Sequence, residues 1–246
     1  MAFLCAWTPS YSCWSRPSRD SSARSTTLPE SLRRLALFDL DGTLIAGSSE
    51  RRFLRWLLEQ GELRPWPVLR ALGVVLWRLP RGRTAAFKAN KAIYRGQPAA
   101  WMEELAERFV GEELRWRLRQ PLLDRLEAHR DEGLEIALLS GTPEFLLGPL
   151  ARALGVEIAV GTPMARLLGK LTGSLAGPHP YGAAKAEIVR ERFPAEDWDL
   201  EASYAYADHA SDLEMLALFG HPHLVNPSRR LLARAKGEGL DVDLVD

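Results

Sequence analysis

The sequence predicts an α/β protein: a Rossmann-like parallel-sheet core with helices on both faces and an inserted α-helical subdomain. Short apolar runs such as Leu35–Phe38 and Leu134–Thr142 alternate with helical patterns, as βαβ units do. The runs lack the polar alternation of half-exposed strands, so they read as strands buried on both faces. A helical block from Glu50 to Gly133, about eighty residues, follows the first strand with nothing strand-like in it. That is too long for a simple crossover.

The elements follow in order. Residues 1–32 are rich in Ser, Arg and Pro and poor in acids, and they show no periodicity. This suits a disordered tail or translated upstream sequence better than a transit peptide, which shares the composition. The core is expected to span 33–47 and 126–246, with the helical insertion at 48–125. In the insertion, Phe53, Leu54, Trp56, Leu57 and Leu58 stand at helical spacing before Gly61. The run Trp66–Pro80, broken by Arg70 and Arg78, reads as a core or cap helix rather than an interfacial one. Arg51, Arg52, Arg55, Lys88 and Lys91 are expected mostly on solvated helix faces, and Tyr94, Trp101 and Trp116 in packing.

Two further strands, Leu134–Thr142 and Val156–Pro163, flank a helix over 143–155. A hairpin or flap is expected over 165–177, a helix over 182–193 and a fourth strand within 203–212. A short helix from Leu213 and a strand at 223–227 complete the series.

Composition narrows the function. The formal net charge is zero, so nothing general favours nucleic acid or an anionic membrane as partner. Cys5 and Cys13 are the only cysteines and both lie in the tail, which leaves a cysteine-free body suited to a reducing, cytoplasmic setting. No apolar run is long enough to span a bilayer.

The chemistry gathers at the strand ends. In open α/β sheets ligands bind at the carboxyl ends of the strands. The first strand ends in Asp39 and Asp41, which an extended chain places on one side about 7 Å apart. The second ends in Ser140, Gly141 and Thr142, and the fourth in Asp208, His209 and Asp212. Lys185 stands near the start of the helix before that fourth strand. Clustered carboxylates without Cys are hard oxygen ligands suited to Mg²⁺ with waters and a phosphate. An aspartate can attack phosphorus, and a second carboxyl can move the proton. Each residue also has a plain reading: Asp41-Gly42 as a turn, Ser140 as a helix cap, Lys185 as a solvated charge. It is their joint placement that favours catalysis.

FDLDGTL (38–44), LLSGT (138–142), GAAK (182–185) and YADHASD (206–212), in that order, resemble the four motifs of the haloacid dehalogenase superfamily. The likeness runs from about Arg33 to Pro227. The helical insertion is similar to the C1-type cap of phosphoserine-phosphatase-like members. The resemblance implies a Mg²⁺-dependent phosphomonoester hydrolase working through an aspartyl-phosphate on a small phosphorylated metabolite. It implies Asp39 as nucleophile, Asp41 as general acid/base, and Lys185 as stabiliser of nucleophile and phosphoryl group. Ser140, with Gly141 and Thr142, would bind phosphate. Mg²⁺ would be held by Asp39, Asp208 and the Asp41 carbonyl, with Asp212 orienting the metal waters or Lys185.

Phosphoserine, histidinol phosphate and phospho-amino alcohols are the candidate substrates. Three positions depart from the pattern. Ala207 replaces a common glycine, and His209 puts a bulky, titratable ring beside the metal site. Ser48 stands where phosphoserine-specific members carry an acid, the nearest acid being Glu50. The competing readings are phosphotransfer on the same core, as in mutases, and a non-catalytic scaffold that retains the fold.

Overall fold

The computed structural model describes residues 32–62, 90–240 and 243–245. The expected tail and the run Trp66–Pro80 lie outside these residues, as does Lys88.

Six parallel strands form one sheet: β1 (Leu35–Phe38), β2 (Glu135–Pro143), β3 (Ile158–Thr162), β6 (Tyr204–Ala207), β7 (His221–Val225) and β8 (Asp243–Val245). Their order is β3-β2-β1-β6-β7-β8. The chain winds outward from β1 in one direction, then returns to lay β6 on its other edge. A crevice opens where the winding reverses, at the carboxyl ends of β1 and β6. The expected hairpin is β4 (Met164–Leu167) with β5 (Lys170–Leu175), antiparallel.

Both faces of the sheet are covered. On one face Ala36, Phe38, Leu138 and Tyr206 share a core with α1 (Ser49–Glu59), α2 (Ala99–Glu112), α3 (Gln120–Asp131) and α4 (Glu144–Ala153). On the other, Leu35, Leu37, Ala137, Leu139, Ala205 and Leu224 meet α5 (Ala183–Arg192), α6 (Leu213–Leu216) and α7 (Arg229–Gly237). Alternate residues of one apolar run thus feed opposite cores, which is why these strands show no polar alternation.

Register also builds a ladder of rings. Phe38 pairs with Tyr206 and Tyr206 with His223 across neighbouring strands. Their rings stack at centroid distances of 4.5 Å in both cases. His129 of α3 packs over this ladder and meets the Tyr206 hydroxyl at 2.7 Å.

Helix α1 starts at Ser48, whose hydroxyl accepts from the Arg51 amide, a side-chain N-cap. Phe53 and Trp56 of α1 pack on Phe109 of α2, and Phe53 also on Phe145 of α4. The described helices of the insertion therefore share one apolar cluster with the sheet. Helix α3 runs through the expected boundary at 125/126 as a single element. No helix among the described residues is long and apolar enough to cross a membrane. The final pair, α7 and β8, goes beyond the series expected from the sequence.

Candidate active site

The turn after β1 sets the first two carboxylates. Asp39 N–H donates to Tyr206 O of β6 at 3.0 Å, which continues the sheet ladder for one residue. The chain then folds back: Ile45 N–H reaches Leu40 O and Gly42 N–H reaches Ile45 O. Gly42 sits at φ 92°, where a side chain is strained. Arg119 braces the turn, donating from its amide to Leu44 O and from its guanidinium to Gly42 O.

Asp39 is buried. Its Oδ1 accepts from Lys185 Nζ at 2.7 Å and its Oδ2 from Thr43 Oγ1 at 3.3 Å. Asp41 turns elsewhere, and its Oδ1 accepts the Ser49 amide, in the first turn of α1, at 2.8 Å. Extended geometry gives the two carboxylates a common side; the turn then gives each its own partner.

Lys185, from the first turn of α5, is 4% exposed, so its ammonium must be paired. It bridges Asp39 and Asp212, with Asp212 Oδ2 at 2.8 Å. Ser211 Oγ holds the other Asp212 oxygen at 3.1 Å. Burial lowers the Lys185 pKa, but the two carboxylates outweigh it and hold the ammonium above its usual range. Burial, with Asp212 and Asp41 adding to it, pushes Asp39 up to about 7 in spite of Lys185. Asp208 is also raised, by burial and then by Asp212.

Asp39, Asp41, Ser140, Gly141, Lys185, Asp208 and Asp212 line a single cavity of about 350 Å³. Thr142 is not on its wall. That side chain is buried behind Ser140, with its hydroxyl 2.8 Å from Ser49 Oγ and 3.1 Å from Ser140 Oγ. His209 lines the cavity, yet its Nδ1 accepts from the Ser211 amide and caps the turn at Ala210–Asp212.

The lining also includes residues that the sequence did not single out: His179, Pro180 and Tyr181. They approach closely because residue 141 is glycine, where a Cβ would lie 3.1 Å from His179 Cε1. Two expectations change. Lys91 is not a solvated charge: it is 2% exposed and bonded to Glu50. Trp116 is largely exposed rather than packed, with Arg115 lying over its ring.

The donor set fits Mg²⁺. Asp39, Asp41, Asp208 and Asp212 share the cavity with one lysine that bonds two of them, and burial holds both Asp39 and Asp208 toward the neutral form. A hard cation would relieve that cost. Among the described residues no three acidic, His or Cys side chains form a ready cage. That agrees with an ion held by a few carboxylates, a backbone carbonyl and waters. The Asp208 carboxylate lies against Gly42 so closely that a Cβ there would come within 2.0 Å of Oδ2.

Comparison with known proteins gives the family and the fold. The haloacid dehalogenase-like hydrolase family matches residues 36–217. A probable phosphatase of Mycobacterium tuberculosis is 33% identical over 91% of this chain and 82% of its own. A phosphoserine phosphatase of the same organism is 30% identical over 87% of this chain and 71% of its own. Among solved structures, a protein of unknown function from Bordetella pertussis has a TM-score of 0.73 at 27% identity, covering 87% of this chain and 99% of its own. A phosphoserine phosphatase trapped as a phospho-aspartyl intermediate analogue shares the fold, with a TM-score of 0.58 at 19% identity over 87% of this chain and 94% of its own. The family match runs unbroken from β1 through α6, across every strand end that feeds the cavity, and the chain belongs to the haloacid dehalogenase-like hydrolase family.

Proposed function

We propose that this enzyme, a phosphatase of the family, hydrolyses a small phosphomonoester in two steps through a covalent phosphate on Asp39. One observation carries the reading: Asp39 is held between Lys185 and Thr43 on the cavity floor, with Asp41 two residues on and separately pinned to Ser49 N–H.

Asp39 attacks phosphorus in line with the ester oxygen. Burial raises its pKa to about 7 while Lys185 favours the carboxylate, and a bound cation would favour the carboxylate further. The Asp39 carboxylate, the Asp41 carbonyl and Asp208 would hold Mg²⁺. When bound, that ion supplies the charge that lets an anionic phosphate meet an anionic nucleophile. Asp41 protonates the leaving alkoxide as the ester P–O bond breaks. It then takes a proton from the water that attacks the phosphorus of the aspartyl-phosphate, releasing phosphate and restoring Asp39. Lys185 stays bonded to Asp39 and offsets charge on the transferring phosphoryl oxygens, while the Ser140 hydroxyl and the amide at Gly141 receive those oxygens. Asp212 anchors Lys185 from behind.

Residues 48–125 would act as a helical cap that closes over the leaving group and excludes water. The test is phosphate release from a panel of phosphomonoesters, with and without Mg²⁺, for wild type beside Asp39→Asn. Metal-dependent turnover lost in the variant is the expected result. Equal rates in both proteins would overturn the mechanism.

A further inference from the structure

The cavity carries a charge arrangement that the phosphoryl chemistry does not use. Glu50 and Arg51, consecutive on α1, both line it. Glu50 is buried, and both its oxygens are taken. Oε2 lies 2.5 Å from Lys91 Nζ, and Oε1 accepts from Tyr94 Oη at 3.1 Å. Lys91 and Tyr94 belong to one 3-10 turn, Asn90–Tyr94, and are 2% and 0% exposed. Tyr94 stays protonated, because burial and then Glu50 push its pKa well above the usual value. The Glu50 charge is therefore cancelled from within the protein before any substrate arrives. Arg51 is exposed, and its guanidinium has no carboxylate partner among the described residues.

A buried carboxylate already bonded to an ammonium gains little from a second one, because the second cation faces the repulsion of the first. An ammonium-bearing leaving group would thus find a spent acid at Glu50 and a like charge at Arg51. A carboxylate or second phosphate would find Arg51, whose planar fork suits either. We infer that the preferred substrate is a phosphomonoester whose alcohol carries a second negative charge and no ammonium group, and that the Glu50–Lys91 pair enforces this choice. The inference rests on the phosphatase reading above and sharpens it, turning away from phosphoethanolamine-like and other amino-alcohol esters. Lys91 acts here as a positioning residue, through Glu50.

The test compares kcat/KM for 3-phosphoglycerate and for phosphoethanolamine, with Mg²⁺ present. Wild type is expected to favour the anionic ester by tenfold or more, on the order of what like-charge repulsion imposes. Lys91→Met frees Glu50, and the ratio should fall by about tenfold through a lower KM for phosphoethanolamine. The double variant K91M/E50Q should bring the ratio back toward wild type. Arg51→Ala, at an exposed position, should raise KM for 3-phosphoglycerate by about tenfold and lower that for phosphoethanolamine, so that the ratio falls from both sides. If the buried substitutions fail to fold, this arm alone decides. Turnover with a wild-type preference for phosphoethanolamine, or no response of the ratio to Arg51→Ala, overturns the inference while leaving the phosphatase reading intact. Absence of turnover on every ester overturns both.

Discussion

Lys185 Nζ lies 2.7 Å from Asp39 Oδ1 and 2.8 Å from Asp212 Oδ2, so one buried ammonium serves two carboxylates from different strand ends. The arrangement costs stability. Desolvation still wins at Asp39, whose pKa stands at about 7 against a usual 3.8. An acid with a raised folded pKa binds more protons folded than unfolded across that window. Stability therefore falls as pH rises from about 4 to about 7 and stays lower above it. Asparagine at this position has no such dependence. In chelator, Asp39→Asn is expected to melt several degrees higher than wild type at pH 8, with the gap closing toward pH 4. Thermal melts across that range check it, and a wild type that gains on the variant with rising pH would contradict the sign.

Mg²⁺ should relieve the same cost. An ion that binds only the folded protein raises the melting temperature with its concentration. Wild type at pH 8 is expected to respond more steeply than Asp39→Asn or Asp208→Asn, since each of these removes a charge the ion neutralises. Equal shifts in all three proteins would place the ion elsewhere.

Removing the shared cation has the opposite consequence. Lys185→Met leaves Asp39 and Asp212 facing each other with no counter-charge, and breaking a buried pair in this way costs about 3–5 kcal/mol. A fall in the urea midpoint, together with a loss of about 100-fold or more in kcat, is expected. Unchanged stability would mean that the two acids are already neutral.

Gly42 sets a tight limit beside Asp208, the acid proposed to hold Mg²⁺. A Cβ there would fall 2.0 Å from Asp208 Oδ2, and the backbone stands at φ 92°. Gly42→Ala must displace Asp208 or the turn after β1. It should raise the Mg²⁺ concentration for half-maximal activity by about tenfold or more, with a far-ultraviolet circular dichroism spectrum like that of wild type. An unaltered metal dependence would remove Asp208 from the ion's ligands.

The sheet strands were legible because burial on both faces writes continuous apolar runs such as Leu35–Phe38. The carboxylates were legible because topology brings strand ends together whatever lies between them in sequence. The wall at His179–Tyr181 was not, since a loop residue becomes a wall residue only through its approach to Gly141. Lys91 was hidden for a related reason. A lysine in a helical pattern reads as solvated, and its partner Glu50 is 41 residues away. The helix α7 and the edge strand β8, at Asp243–Val245, escaped because β8 is three residues long and its segment carries acids beside its apolar positions.

His129 supplies a pH effect independent of the cavity. Its Nε2 meets Tyr206 Oη at 2.7 Å beneath α3, and burial holds its pKa below the usual 6.5. Glu132, Arg125 and His221 also act on it, Glu132 upward and the other two downward. A histidine kept neutral in the fold binds fewer protons folded than unfolded, so its contribution is present above pH 6.5 and is lost as pH falls below it. His129→Gln keeps a hydrogen-bonding side chain without the titration. Its unfolding free energy should accordingly fall less steeply between pH 7 and pH 5 than that of wild type, whatever its absolute stability. Parallel slopes for the two proteins would show that the ring takes up its proton in the folded state without cost.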